Sequence, residues 1–279
     1  MSEDLDRARE TLESSLSRPS TGRVYDFYLG GQHNYAIDRE FGQRMVDMMP
    51  EARIFARENR AFVRRAVRYA RRVCGITQFV DIGSGLPTQG NVHEIADESG
   101  QDARVVYVDN DPVARAHAQI LLADTADPER HFAVDADFLD GFTLWKRVIE
   151  TGRLDPDRPI CLLVSALLHF VVPDQHPEQM LDFYRDQLPS GSLLVLSHCT
   201  DEDTTPALQE VAARYVATTS NAHLRGRSEV RKFFGDFELI DPGLVWTPQW
   251  HPELAASDEQ AFEGDPAATL AIAGVARKS

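Results

Sequence analysis

Short apolar runs, each with an acid or a small polar residue at or beside its end, punctuate the chain between residue 76 and about residue 200. They are Gln78–Ile82, Arg104–Asp109, Phe132–Asp135, Ile160–Ser165 and Leu193–Ser197. Short runs of this kind, bounded by turn residues, predict strands of a sheet covered on both faces. Pro189-Ser-Gly191 supplies the turn before the fifth run. Helix formers fill Asn91 to Asp97, and residues 204–234 also read as helical. Phe237–Ile240 and Thr269–Ala276 predict a closing pair of strands. Ahead of the first strand, residues 21–75 form a helical region, and residues 1–20 are a polar arm. Glu253 to Pro266 is acidic and rich in small residues, which predicts an exposed loop. Residues 76–279 are then one α/β core, Rossmann-like and doubly wound, with a mostly parallel seven-stranded sheet.

The junction after the first strand carries the chemistry. Asp81-Ile-Gly83-Ser84-Gly85-Leu-Pro87-Thr88 is a glycine turn with an acid two residues before it. Glycines accept positive φ and let a ligand approach the backbone closely. A carboxylate there would repel a pyrophosphate but attract an ammonium group. S-adenosyl-L-methionine carries an amino group and a sulfonium, and no phosphate. Asp109 lies 24 residues beyond Gly85, where an acid in doubly wound folds binds ribose hydroxyls. The third strand ends at Asp135-Ala136-Asp137. Asp135 with Ala136 is the candidate for the adenine, and Asp137 competes with it, since pattern does not fix a strand end to one residue.

Further residues extend this set. They are Arg23-Val-Tyr25-Asp-Phe-Tyr28-Leu-Gly30-Gly31 with Asn34, Glu58-Asn59-Arg60-Ala-Phe62, Asn91-Val-His93-Glu94, Val106-Tyr-Val-Asp109-Asn110-Asp111-Pro112, and Pro242-Gly-Leu-Val245. Together with the glycine turn they resemble the class I S-adenosylmethionine-dependent methyltransferases. The closer match is the S-adenosyl methyltransferase family first catalogued as a domain of unknown function. The resemblance runs from about Arg23 to the C-terminus. It implies cofactor contacts at Asp81, Gly83, Ser84, Gly85, Asp109, Asn110, Asp135, Ala136 and Ser165. It also implies that the aromatic, glycine-containing segment Tyr25–Tyr35 is a lid, with Tyr28, Asn34, Asn59 and Arg60 as contacts. From the residues alone, that segment reads rather as aromatics anchoring a helix that glycines terminate than as a mobile flap, and the resemblance tips it to the lid. Pro87 stands where the general class has a third glycine.

Ser165-Ala-Leu-Leu-His169 follows the fourth strand, where the crevice of such a fold lies. It resembles the Leu-His loop of small-molecule methyltransferases and lacks the Asn/Asp-Pro-Pro-aromatic tetrapeptide of amino-directed DNA and protein enzymes. His169 is a candidate general base, or a histidine that only ties the loop. His198, ending the fifth strand, is the second candidate. Arg53, Arg57, Arg60, Arg64, Arg68 and Arg71 share one helical face, which predicts a solvated stripe paired with the chain's own acids.

Charge narrows the acceptor. With 29 basic and 44 acidic residues the chain carries −15, which disfavours nucleic acid as partner. Three cysteines without metal spacing predict free thiols in a reducing, cytoplasmic setting, and no metal constellation appears. No apolar run is long enough to span a membrane. The expectation is methyl transfer from S-adenosylmethionine to an oxygen or nitrogen of a small molecule, by a monomer or homodimer. The rivals are a sensor that binds the cofactor without turnover, and a nicotinamide-dependent oxidoreductase.

Overall fold

Side chains alternate across the central strands with a period of two, and each face has its own core. From β1 (Gln78–Ile82), Val80 and Ile82 enter one core and Phe79 the other. From β2 (Arg104–Asp109), Val106 and Val108 join the first, Val105 and Tyr107 the second. From β4 (Ile160–Ser165), Leu162 and Val164 oppose Cys161 and Leu163 in the same way. A strand buried on both faces has no polar side to show, which explains the unbroken apolar runs.

The structure is a computed structural model describing residues 17–86, 90–125, 127–206, 209–210, 213, 217 and 222–279. Most of the polar arm, Pro87 and Thr88, and much of 204–234 lie outside the described residues. The remaining strands are β3 (His131–Asp135), β5 (Leu193–Cys199), β6 (Glu238–Leu239), β7 (Val245–Trp246) and β8 (Ala271–Arg277). The sheet order is β3-β2-β1-β4-β5-β8-β6, with β7 also paired to β8. β1 to β5 run parallel, and β8 is antiparallel to its neighbours. The expected closing pair is therefore a long β8 flanked by two short strands, each pairing two of its residues. Strand order reverses between β1 and β4, which opens a crevice at their carboxyl ends.

Helices α1 (Thr21–Tyr28), α2 (Ala36–Met48) and α3 (Glu51–Arg72) precede the sheet. Helices α4 (Val92–Asp97), α5 (Pro112–Thr125), α6 (Gly141–Glu150), α7 (Pro177–Gln187) and α8 (Arg227–Lys232) follow in chain order. Ala222–Gly226 is irregular, not helical as expected. On α3, Phe62, Val63, Ala66, Val67 and Ala70 pack on the sheet.

The arginine face of α3 pairs with the chain's own acids as spacing predicts, but it is solvated only at its start, where Arg53 and Arg57 are exposed, and is buried at Arg68 and Arg71. Arg68 is 2% exposed and binds Glu98 through two nitrogens at 2.9 Å each and Glu259 at 2.7 Å. Arg71 is buried and donates to the Ala96 carbonyl at 2.9 Å and to Asp102 at 2.5 Å. Arg65, one turn round, donates to the carbonyls of Trp250 and Thr247 at 2.8 and 2.7 Å. Guanidinium forks thus dock the C-terminal loops on α3, using their fixed multi-donor geometry. Within the expected exposed loop, Glu259 is turned inward by this pairing. Trp250 is fully buried, edge-on to Phe62 and Tyr69.

Candidate active site

The carboxyl ends of β1, β2, β3, β4 and β5 open into one cavity of about 600 Å³, roofed by α1 to α3. Gly83 and Gly85 adopt φ of +70° and +60°, which glycine takes without strain. The Gly83 and Ser84 amides both donate to the Val108 carbonyl, at 2.8 and 3.2 Å, so the turn folds over the end of β2. A Cβ at Gly83 would lie 2.9 Å from the Leu167 side chain. Gly22 of α1 sits above the turn, where its Cβ would come within 3.2 Å of the Gly85 Cα. α1 is held there by Arg23, fully buried, which donates to Asp38 at 2.7 Å and reaches Asp111 at 3.5 Å.

Three carboxylates mark this end of the cavity. Asp109 accepts from the Gly85 amide at 2.8 Å and the Asp111 amide at 2.9 Å. Burial pushes its pKa up, against those hydrogen bonds. Asp81 is 7% exposed, and burial raises its pKa to about 7; Arg60 opposes the rise and Asp109 adds to it. Asp137 accepts from the Asn110 amide at 3.1 Å and the Leu139 amide at 2.9 Å. Arg60 lies over the Tyr25 ring, 5.6 Å from its centroid.

Where β4 and β5 end, a hydroxyl–amide network crosses the cavity floor. Asn59 Oδ1 accepts from Ser197 Oγ at 2.5 Å and Ser165 Oγ at 3.2 Å, and its amide donates to Tyr25 Oη at 3.0 Å. The two serine oxygens are 2.9 Å apart, and Tyr25 donates to the Ala56 carbonyl at 2.9 Å. One side chain of α3 thus joins α1 to two strand ends. Ala166 follows with φ of +53°, a left-handed conformation costing a non-glycine residue about 1 kcal/mol or more. Beyond lies a chamber of Phe41, Met49, Phe55, Phe170, Leu224 and Leu270, with His169 on its wall.

A crevice at the strand-order reversal, a glycine turn and strand-end acids are the parts of a nucleoside-cofactor site. The family described as S-adenosyl methyltransferase matches residues 7–279. The chain belongs to that family. Two crystal structures agree over almost the whole methyltransferase. A DUF574-family protein of Streptomyces avermitilis is 35% identical with a TM-score of 0.85, covering 94% of this chain and 98% of its own. A Thermobifida fusca protein, provisionally assigned as a methyltransferase, is 35% identical with a TM-score of 0.83, covering 94% and 96%. No protein of curated function matches the chain. The nicotinamide reading is thereby set aside, and S-adenosylmethionine is the cofactor. Among the described residues no helix is long and apolar enough to cross a membrane, and no cluster suits a metal ion.

The residues present fit that cofactor: the turn admits close approach, and the Asp81 carboxylate lines the cavity beside it. Asp81, Gly83, Ser84, Gly85, Asp109, Asn110, Ala136, Ser165, Tyr28, Asn59, Arg60 and His169 all line the methyltransferase cavity. Three sequence candidates do not. Asp135 pairs with Asp109 inside the sheet, and Asp137, two residues on, faces the cavity in its place. Asn34 is buried in the turn after α1, donating to Asp26 at 2.8 Å and the Gly31 carbonyl at 2.9 Å. His198 is fully buried, with Nδ1 2.6 Å from the Cys199 carbonyl and Nε2 3.1 Å from Arg225. Nδ1 must donate to that carbonyl, so Nε2 accepts from Arg225 and neither nitrogen is free to take a proton. Desolvation lowers its pKa well below the ordinary range. Sequence reasoning missed Ser197, and it placed Tyr25 in the lid segment without its tie to Asn59.

Proposed function

We propose that this cavity moves the methyl group of S-adenosylmethionine to an oxygen or nitrogen of a small molecule. The observation that carries the reading is that the glycine turn and its three acids share one cavity with an apolar lining of Phe41, Met49, Phe55 and Leu270. Its volume lies within the roughly 300–1,000 Å³ of small-ligand sites. When bound, the cofactor supplies an activated methyl on a cationic sulfur.

In this reading the ionised Asp81 attracts the cofactor's ammonium, and Asp109 binds the ribose hydroxyls. Asp137 and Ala136 border the adenine. Arg60, held over the Tyr25 ring, offers a positive charge to the cofactor's carboxylate, and the Tyr28 ring suits a sulfonium. The helical region 21–75 then acts as a lid over both ligands. The Asn59 network fixes the geometry between them, and alignment supplies most of the rate. The net charge of −15 favours a small acceptor over nucleic acid.

The test is S-adenosylhomocysteine release with a panel of hydroxyl and amine acceptors. Acceptor-dependent release by the parent, lost in Asp109→Ala, supports the reading. Release that ignores every small acceptor while the folded protein binds cofactor contradicts it.

A further inference from the structure

The charged residues lining the cavity are Arg60, Asp81, Asp109 and Asp137, all grouped around the glycine turn. Past the Asn59–Ser165–Ser197 network the described lining changes character. Phe41, Phe55 and Phe170 present aromatic surface, and Met49, Leu224 and Leu270 fill the space between. No Asp, Glu, Lys or Arg lines that chamber among the described residues. Among the described residues a charged acceptor finds no counter-ion there, and burying an unpaired charge is strongly unfavourable. Aromatic walls favour a flat ring, through edge and offset contacts.

His169 is one polar group on this wall, and Tyr28 packs with Met49, Phe41, Phe55 and Leu270 beside it. The His169 ring is 3% exposed, stands edge-on to Phe55 at 6.0 Å, and leaves Nδ1 buried without a hydrogen-bond partner. Burial and Arg225 push its pKa down to about 3, so the ring is neutral at physiological pH. A neutral imidazole has one donor and one acceptor nitrogen. A hydroxyl can both donate and accept, so it matches either tautomer.

Resting on the methyl-transfer reading, we infer that the acceptor is an uncharged aromatic molecule that directs one hydroxyl toward His169 and the Asn59 network. The hydroxyl oxygen forms the new bond to the methyl carbon while the carbon–sulfur bond breaks and leaves its electron pair on sulfur. The hydroxyl proton goes to water, because His169 does not hold one near neutrality.

The experiment saturates the protein with S-adenosylmethionine and titrates matched ring probes by calorimetry, with S-adenosylhomocysteine release as the second readout. The probes are 2-naphthol and its charged counterpart 6-hydroxy-2-naphthoate. Binding of 2-naphthol at least about tenfold tighter than the carboxylate, with turnover, is expected from an unpaired buried charge. Leu224→Glu, on a half-buried loop position, should weaken 2-naphthol about tenfold or more while cofactor affinity holds. Equal or tighter binding of the carboxylate, or binding of neither ring, overturns the inference. Failure of the cofactor itself to bind is seen in the first titration, and it overturns the methyl-transfer reading along with the inference.

Discussion

Cofactor affinity should rise with pH through neutrality, and Asp81 is the reason. Its carboxylate lies 7% exposed at the end of β1, and burial raises its pKa from 3.8 to about 7. That displacement corresponds to a penalty of about 4 kcal/mol on the ionised form in the folded protein. An ammonium group binds the ionised form, so the proton must leave first. With a pKa of about 7, roughly nine-tenths of the sites are ionised at pH 8, about one-tenth at pH 6 and about one-hundredth at pH 5. Affinity for S-adenosylmethionine should therefore fall about tenfold from pH 8 to pH 6, and about tenfold again by pH 5. The stability consequence has the opposite sign. A raised carboxylate pKa means the folded state keeps the proton longer, so Asp81 destabilises the fold as pH climbs from about 4 through 7. Asp81→Asn should therefore be the more stable protein at pH 8, yet bind cofactor weakly and with little pH dependence. Calorimetric titration at four pH values, with thermal melts of both proteins, reads each effect. A parent affinity that is flat from pH 5 to 8, or an asparagine variant that binds as tightly, would refute the reasoning.

Other positions yield further expectations. Gly83→Ala must hold φ at +70° and push its Cβ against Leu167, so it should lose about 1–3 kcal/mol in chemical denaturation. Asn59→Ala leaves Ser165, Ser197 and Tyr25 without their shared partner, which should cost about 2–3 kcal/mol and lower turnover more than cofactor affinity. Arg68→Ala takes the 2.7 Å partner from Glu259 while Glu98 keeps Arg72 at 3.0 Å, and a loss of about 1–3 kcal/mol in urea unfolding is expected. His169 takes its proton near pH 3 when folded but near 6.5 when unfolded, so it destabilises the fold as pH drops from 6.5 toward 3. Melts of His169→Gln should therefore show less acid sensitivity than the parent over that window, and equal sensitivity would contradict the assignment.

The parallel core was legible because strands buried on both faces must be apolar throughout. β6 and β7 were not, since two-residue pairings against β8 leave no periodic signal. Asp81 and Asp109 could be placed because each sits at a turn whose geometry demands particular residues. Asp135 and Asp137 could not be separated, because the end of β3 shifts which acid faces the crevice. His198 faces away from the cavity because side chains alternate along β5. On β5, Ser197 meets Asn59 and Cys199 lines the cavity, so the residue between them must point to the opposite face of the sheet. There its ring meets Phe233 of the other core. The tie from Tyr25 to α3 was hidden for another reason. It depends on α3 lying across α1, a contact 31 residues away in sequence that no local pattern encodes.

The most direct test of the account is calorimetric titration of S-adenosylmethionine into the parent and into Asp109→Ala, with NAD as control. The glycine turn and its acids predict tight binding by the parent, a loss of about tenfold or more in the variant, and no response to NAD. Equal affinity of the two folded proteins for S-adenosylmethionine would contradict the assignment of this cavity as the cofactor site.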